Sequence, residues 1–339
     1  MEKNHSQSLM SKYFTKEVKN KLSGLKTSNG FTVLDAVRSG MENPDSNVGV
    51  YAGDEESYSF FAPLFDPIIE EYHGYKKGEL HKTDFDSSHI EINNLDSEGK
   101  YIISSRIRVG RNLKDFAFSP AISKSERIVA ENKIVAALKQ FKDDLQGRYC
   151  QLSNMSEEIR LQMVKDHFLF KKGDRFLESA GANRDWPEGR GIFYSNDKKF
   201  LVWVNEEDQL RIISMQAGGN IGEVFKRLTR ALDILQKSLI FAYSGHFGYF
   251  SSCPTNLGTA MRASVHIKLP KLGRDETNLK TICASLNLSL RGVHGEHSNS
   301  ENGVFDISNK QRLGVSETEA VNTLVRGVKE LIINKKIMN

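Results

Sequence analysis

Between residues 191 and 215 three β-type runs crowd together: Gly191 to Ser195, Phe200 to Asn205 and Leu210 to Met215. Val, Trp and Ile enrich the last two, and only Glu206-Glu207-Asp208-Gln209 separates them. That pattern predicts a hairpin with an acidic tip. A parallel crossover needs a dozen or more residues, so this stretch demands antiparallel pairing. Further β-type runs occur at Tyr101 to Ser105, Ala263 to Leu269, Leu286 to Leu290 and Val304 to Ile307.

Helical periodicity lies between these runs. Ser125 to Phe141 places Ile128, Ile134, Val135, Leu138 and Phe141 on one face, and Ile221 to Leu239 does the same with Val224, Leu228, Ala231, Leu232 and Leu235. A last helix opens on Ser316-Glu317-Thr318-Glu319, a capping-box pattern, and carries Val321, Leu324, Val325, Val328, Leu331 and Ile332. Hairpins clustered among separate helices predict an α+β fold, not a parallel βαβ wind. Upstream, Pro44-Asp45-Ser46-Asn47 and Gly49 mark a loop, and Pro67 suits the first turn of a helix reaching about Tyr72. The chain therefore divides into a small helical N-terminal domain (1–83), a linker (84–98) and a larger domain (99–339) with an antiparallel sheet flanked by helices. A length of 339 residues suits two unequal domains.

A net charge of +4 gives no basic stripe for nucleic acid. Three cysteines, Cys150, Cys253 and Cys283, make no disulfide framework and suggest a reducing compartment. Residues 1–26 hold no signal-like or membrane-spanning apolar run, so a cytoplasmic protein without a membrane partner is expected.

The sequence has no Walker phosphate loop, no strand-linked Gly-x-Gly-x-x-Gly, no kinase His-Arg-Asp loop and no His-Glu-x-x-His helix. If phosphates bind here, side chains hold them, and arginine suits because its planar fork pairs bidentately with phosphate oxygens. Arg106 and Arg108 flank Ile107, so an extended chain aims both at one face. Arg211, Arg262 and Arg291 stand at other strand ends, positions that also suit solvated side chains. Cys253 lies in the turn Ser252-Cys253-Pro254-Thr255-Asn256, where backbone N–H groups and the Thr255 hydroxyl would favour a thiolate; a buried inert thiol is the alternative. Glu207, on the acidic tip, and Glu296, in a Gly-rich loop, suit a guanidinium ligand, although the tip also reads as a solvated turn. His294 and His297 beside Glu296 do not match zinc-helix spacing.

Cys253-Pro254-Thr255-Asn256-Leu257-Gly258-Thr259 resembles the signature of the phosphagen (ATP:guanidino) kinases. Ser104-Ser105-Arg106-Ile107-Arg108, Asn205-Glu206-Glu207-Asp208, Arg262-Ala263-Ser264-Val265-His266 and Arg291-Gly292-Val293-His294-Gly295-Glu296 match in the same order, as does the Asp166-His167 segment. The resemblance runs from about residue 30 to residue 335. It implies an eight-stranded antiparallel sheet and reversible transfer of the γ-phosphoryl group of MgATP to a guanidino compound. Ser104 to Arg108, His167, Arg211, Arg262 to His266 and Arg291 to Glu296 would hold ATP or ADP. Mg²⁺ would be held through phosphates and water, with no direct protein ligand. Glu207, Glu296 and Cys253 would hold the guanidinium. Glu296 and Tyr72 are similar to the arginine kinases, as is the loop Asn47-Val48-Gly49-Val50-Tyr51, which would hold the amino-acid end of arginine. Taurocyamine and lombricine are the alternative substrates, and an inactive nucleotide-binding relative is the alternative of another class. Asp45 would pair with Arg175 across the domains. Asn47 and His294 depart from the family pattern, which has glycine and arginine there. The family contains monomers and homodimers.

Overall fold

The computed structural model describes residues 8–292 and 303–337, and its centre is the antiparallel sheet that the hairpin runs demand. Its strands are β1 (Ile102–Arg111), β2 (Gly147–Gln151), β3 (Gly191–Ser195), β4 (Phe200–Val204), β5 (Leu210–Ala217), β8 (Met261–Lys268), β9 (Leu288–Arg291) and β10 (Val304–Asn309); β6 (Tyr243–Ser244) and β7 (Gly248–Tyr249) form a separate ribbon. The eight strands lie in the order β2-β3-β4-β5-β1-β8-β10-β9, so β1 is central and pairs with β5 on one side and β8 on the other.

Side chains alternate across the sheet. Ile107 and Val109 of β1, Ala263 and Val265 of β8 and Ile212 of β5 point to one side and join the main core. Helix Ile221–Gln236 covers that side at β1 and β5, because Val224, Phe225, Leu228, Ala231, Leu232 and Leu235 form one apolar stripe. Helix Glu317–Ile337 covers β8 and β10 through Val321, Leu324, Val325 and Val328. Helix Lys124–Leu138 starts at Ser123, whose hydroxyl and the Glu126 carboxylate cap it reciprocally.

Several expectations are revised. β1 continues to Arg111 instead of stopping near Ser105, since ladder partners exist on both sides as far as Val109. Helix Ala62–His73 begins before Pro67, with Pro63 in its first turn. Pro67 removes one helical N–H, yet Leu64, Phe65, Ile68 and Ile69 bury on one face and hold the helix together. β2 and helices Glu157–Lys165 and Glu276–Ser285 carry too few buried apolar residues to have left a periodic signal.

The N-terminal part is helical: Leu9–Tyr13, Lys16–Leu22, Val33–Glu42, Glu56–Phe60 and Ala62–His73. Its core takes in Phe118, Phe250, Leu257 and Leu313 from beyond residue 100, so the helical part is packed onto the sheet part. The segment 84–98 forms one 3-10 turn, Ser87–His89, and is strapped to the helical layer. Asp84 N–H donates to Glu317 Oε2 (2.9 Å), Glu91 N–H to Asn322 Oδ1 (3.0 Å) and Leu95 N–H to Gly219 O (2.9 Å). Among the described residues no helix is long and apolar enough to cross a membrane.

Asp96 fixes the entry into β1. Its buried carboxylate accepts from the N–H groups of Lys100 (3.1 Å), Tyr101 (2.6 Å) and Ile102 (2.7 Å). Burial pushes this carboxyl up, but the N–H groups of Ile102, Tyr101, Lys100 and Gly99 together outweigh it and hold it below the usual aspartate range. Asp96→Ala orphans these donors and is expected to cost about 2–4 kcal/mol, read as a lower urea midpoint at unchanged slope. A midpoint equal to the parent's would remove Asp96 as the anchor of β1.

Candidate active site

The face of the sheet opposite the long helices changes character along its width. Near β3 and β4 it is apolar, with Ile192, Leu201, Trp203 and Ile213 packed under Leu152, Leu169 and Phe170. Over β1, β8 and β10 it becomes cationic. Arg106 and Arg108 lie two apart on β1, so both take this face, where Arg106 faces Ser264 and Arg108 faces Arg262 across the ladder. Arg211 of β5 stands opposite Gly110, while Asp306 of β10 stands opposite both His266 and Arg291. A cleft of about 930 Å³ opens here, lined by Arg106, Arg108, Arg262, Arg291, His167 and His266 among others. Ser104 Oγ lies 3.2 Å from His266 Nδ1.

The arginines differ in their partners. Arg262 Nη2 meets Asp306 Oδ2 at 2.9 Å, and Arg211 pairs with Glu206 (3.1 Å) and Glu207 (2.5 Å). The guanidinium groups of Arg106 and Arg108 have no hydrogen bond or ion pair among the described residues. Burial, then the neighbouring Arg262 and Arg211, lowers Arg106 to about 10. Burial, with Arg211, Arg106 and Arg262, holds Arg108 well below the usual guanidinium range. Two cations are thus held in a cleft without a counter-ion, an arrangement that favours a polyanion.

The acidic hairpin tip is not a solvated turn. Asn205, Asp208 and Gln209 are buried, and Glu206 and Glu207 keep side-chain exposures of only 13% and 16%. Distant partners pull the tip inward. Asn205 Nδ2 donates to Gly189 O (2.6 Å), and Gln209 Oε1 accepts from Leu113 N–H (2.6 Å). Asp208 accepts from Asn112 Nδ2 (2.8 Å), Ser251 Oγ (2.7 Å) and Ser252 N–H (2.8 Å). Asp208 thereby joins the hairpin to the segment that carries Cys253.

Glu207 Oε1 accepts from Asn256 Nδ2 at 3.3 Å, and its Oε2 from Arg211. Burial pushes the Glu207 carboxyl up to about 7; Arg211 opposes this, while Asp208 and Glu206 add to it. Cys253 opens a 3-10 turn, Pro254–Asn256, with Sγ 3.1 Å from Thr255 Oγ1. Burial and then Glu207 push this thiol up to about 12, with Thr255 acting the other way. Tyr51 is held well above the usual phenol range by burial and then by Cys253 and Glu207, so both groups lie near its ring.

The carbonyls of the loop before Tyr51 are taken up by the helical part. Leu9, Met10 and Gly40 N–H groups donate to the carbonyls of Asn47, Val48 and Gly49, and Gly49 adopts φ +80°. The N–H groups of residues 47–50 have no partner among the described residues. Val48 and Val50 are buried, and the Asn47 side chain is exposed. Beside this loop Arg175 grips Asp45 with both guanidinium ends, Nη1 to Oδ1 at 2.9 Å and Nη2 to Oδ2.

The remaining sequence-derived candidates divide. Ser105, Ile107, Ala263 and Val265 turn their side chains to the helix-covered side, so only their backbone meets the arginine face. Gly292 follows β9, whereas Val293, His294, Gly295, Glu296 and His297 lie outside the described residues. Sequence reasoning missed three groups: Asp208, Asp306 and Arg312. Asp306 had a signal, because Asp306 and Ser308 alternate with Phe305 and Ile307. Arg312, which donates to Thr255 O (3.0 Å) and to Asn256 Oδ1, follows β10 in irregular chain and had none.

The family description "ATP:guanido phosphotransferase, N-terminal domain" matches residues 4–70, and "ATP:guanido phosphotransferase, C-terminal catalytic domain" matches residues 129–338. An arginine kinase of Anthopleura japonica is 52% identical over 96% of this chain, which spans 46% of that protein. The arginine kinase Lit v 2 of Penaeus vannamei is 49% identical, over 98% of this chain and 93% of that one. Among solved structures, the duplicated taurocyamine kinase of Schistosoma mansoni with transition-state-analogue components superposes with a TM-score of 0.93 at 44% identity, covering 98% of this chain and 47% of that one. A lombricine kinase superposes at 0.92 and 37% identity, covering 98% and 93%. With both of its parts matched and relatives near half identical along almost its whole length, the chain belongs to the ATP:guanido phosphotransferase family.

Proposed function

We propose that this chain catalyses reversible transfer of the γ-phosphoryl group of MgATP to the guanidinium of L-arginine. The observation that carries this reading is the pair Arg106 and Arg108, cations without acidic partners, set beside a buried carboxylate, Glu207. One part calls for a polyanion and the other for a cation. Arg106, Arg108, Arg262 and Arg291 would grip the nucleotide phosphates, with His167 and His266 at the far end of the cleft. Mg²⁺ would be held through phosphate oxygens and water, ligands that suit a hard, octahedral cation. Bound there, Mg²⁺ neutralises charge on the phosphate oxygens.

The substrate guanidinium would lie between Glu207, Cys253 and Tyr51. Its attacking nitrogen forms the N–P bond as the bond from phosphorus to the β-γ bridging oxygen breaks, and the proton lost from nitrogen passes to the Glu207 carboxylate. A carboxyl raised towards 7 suits that task, because it can accept and return a proton near neutrality. The substrate cation also favours the Cys253 thiolate against the push of Glu207. The N–H groups of residues 47–50 offer an anion site for the α-carboxylate of arginine, and the outward Asn47 side chain leaves it open.

Arginine, taurocyamine and lombricine, each supplied with MgATP and followed by ADP release, test the substrate. Arginine is expected to give the highest kcat/KM; a better rate with taurocyamine would reassign it, and no turnover with any of them would end the kinase reading. Arg106→Met is expected to cut kcat by about a hundredfold or more. The same change leaves the thermal midpoint unchanged or raises it, because it removes a half-buried cation with no ion pair among the described residues. A lowered midpoint would mean that Arg106 supports the fold instead. The acid limb follows from the sign of the Glu207 shift. The ionised carboxylate is the form that binds the guanidinium, so kcat/KM for arginine should fall as pH drops below about 7. Glu207→Gln should abolish that limb along with most of the activity, and an unaltered limb in the residual rate would assign it to another group.

A further inference from the structure

Cys253 belongs in sequence to the sheet part of the chain, yet much of its backbone support comes from the helical part. Three carbonyls of its segment are held from there. Tyr58 OH donates to Ser251 O at 2.7 Å, Ala52 N–H to Ser252 O at 2.7 Å, and His73 Nε2 lies 2.8 Å from Pro254 O. A carbonyl only accepts, so the His73 ring carries its proton on Nε2. Burial, the largest influence on this ring, lowers it to about 4, which keeps it a neutral donor at physiological pH. Tyr58 is nearly inaccessible and wedged among Phe65, Phe247 and Phe250, with ring centroids 5.1–5.5 Å away. Its hydroxyl has little freedom to point elsewhere.

From the opposite side Asp208 takes the Ser251 hydroxyl and the Ser252 N–H. The helices therefore hold the carbonyls of this segment, and the hairpin holds a hydroxyl and an N–H. Between the two grips the Cys253 side chain faces Thr255 and the Glu207 pocket. Ala52 directly follows Tyr51, so the same grip joins the loop 47–51 to the thiol segment.

We propose that Tyr58 and His73 are positioning residues, which set the Cys253 thiol at the guanidinium pocket by holding the carbonyls on either side of it. The proposal rests on the reading of Cys253 as a guanidinium contact. Transition-state contacts depend steeply on placement, and a shift of about 1 Å can cost roughly a hundredfold. Loss of one buried hydrogen bond is a smaller perturbation.

Tyr58→Phe removes one hydroxyl and keeps the ring, so the fold is retained. It is expected to lower kcat for arginine about tenfold while leaving the KM for MgATP unchanged. His73→Leu should do the same, and His73→Gln, which restores a neutral donor of similar reach, should recover most of the loss. In a Cys253→Ser background Tyr58→Phe should cost less than about twofold, because a residue acting through the thiol loses its effect when the thiol is gone. The same tenfold loss in both backgrounds, or no loss in the parent, overturns the proposal. Alkylation of Cys253, followed by mass spectrometry, separates this proposal from the reading beneath it. Both loosened variants should alkylate faster at Cys253 than the parent, and unchanged rates count against positioning whatever the kinetics show. If Cys253→Ser alone keeps full activity, the catalytic contact is refuted, and the alkylation rates still decide whether Tyr58 and His73 place the thiol.

Discussion

Two guanidinium groups on the central strand of a sheet, with no acidic partner among the described residues, are the constraint around which the protein is built. A buried charge without a counter-ion costs free energy that the rest of the fold must offset. The offset comes from the other side of the same strand. Ile107 and Val109 alternate with Arg106 and Arg108, and their burial beneath helix Ile221–Gln236 fixes the register of β1. A slip of one residue would put both arginines into that core. The apolar alternation thus specifies where the cations stand, and the ladder with β5 and β8 holds Arg211 and Arg262 beside them.

A carboxylate among so many cations would collapse onto them unless it were held. Glu207 does pair with Arg211, but the turn that carries it is fixed independently, by Asn205, Asp208 and Gln209 reaching groups far along the chain. The carboxylate is therefore held near the arginine cluster and aligned by Asn256. Burial raises its proton affinity at the same time. One buried turn supplies position, orientation and basicity.

The sheet and its long helices were legible because their signals are periodic and local. Alternation placed Arg106 and Arg108 on one face, and 3.6-residue periodicity located helices Lys124–Leu138, Ile221–Gln236 and Glu317–Ile337 to within a few residues. The burial of the acidic tip was not legible, since Glu206-Glu207-Asp208 has the composition of a solvated turn. What buries it is Asn112, Ser251 and Ser252, and no local pattern links those positions to Asp208. Arg312 escaped for a similar reason: its role is set by the carbonyl of Thr255 and the amide of Asn256, which the fold brings to it. Family motifs supplied the remaining candidates, but not the way their side chains divide between the two faces. Ser105, Ile107, Ala263 and Val265 share runs with the arginines, yet alternation sends their side chains to the core.

The two ends of the site are built from different material. In the proposed function, cationic side chains on the sheet would hold the phosphates, at an end whose geometry depends on the whole core. Backbone amides of a short loop would make the other end, along with Tyr51 from the helical part. Amides read charge and distance, not side-chain identity, so on that reading the distance from residues 47–50 to Glu207 would select among guanidino compounds that carry an acidic tail. That distance depends on how the loop is anchored, by Leu9, Met10 and Gly40 behind it and by the Asp45–Arg175 pair beside it. Loop length and anchoring can therefore change the substrate while the arginine face stays as it is. The exposed Asn47 side chain fits this division, because in the proposed contact only its backbone N–H would meet the substrate.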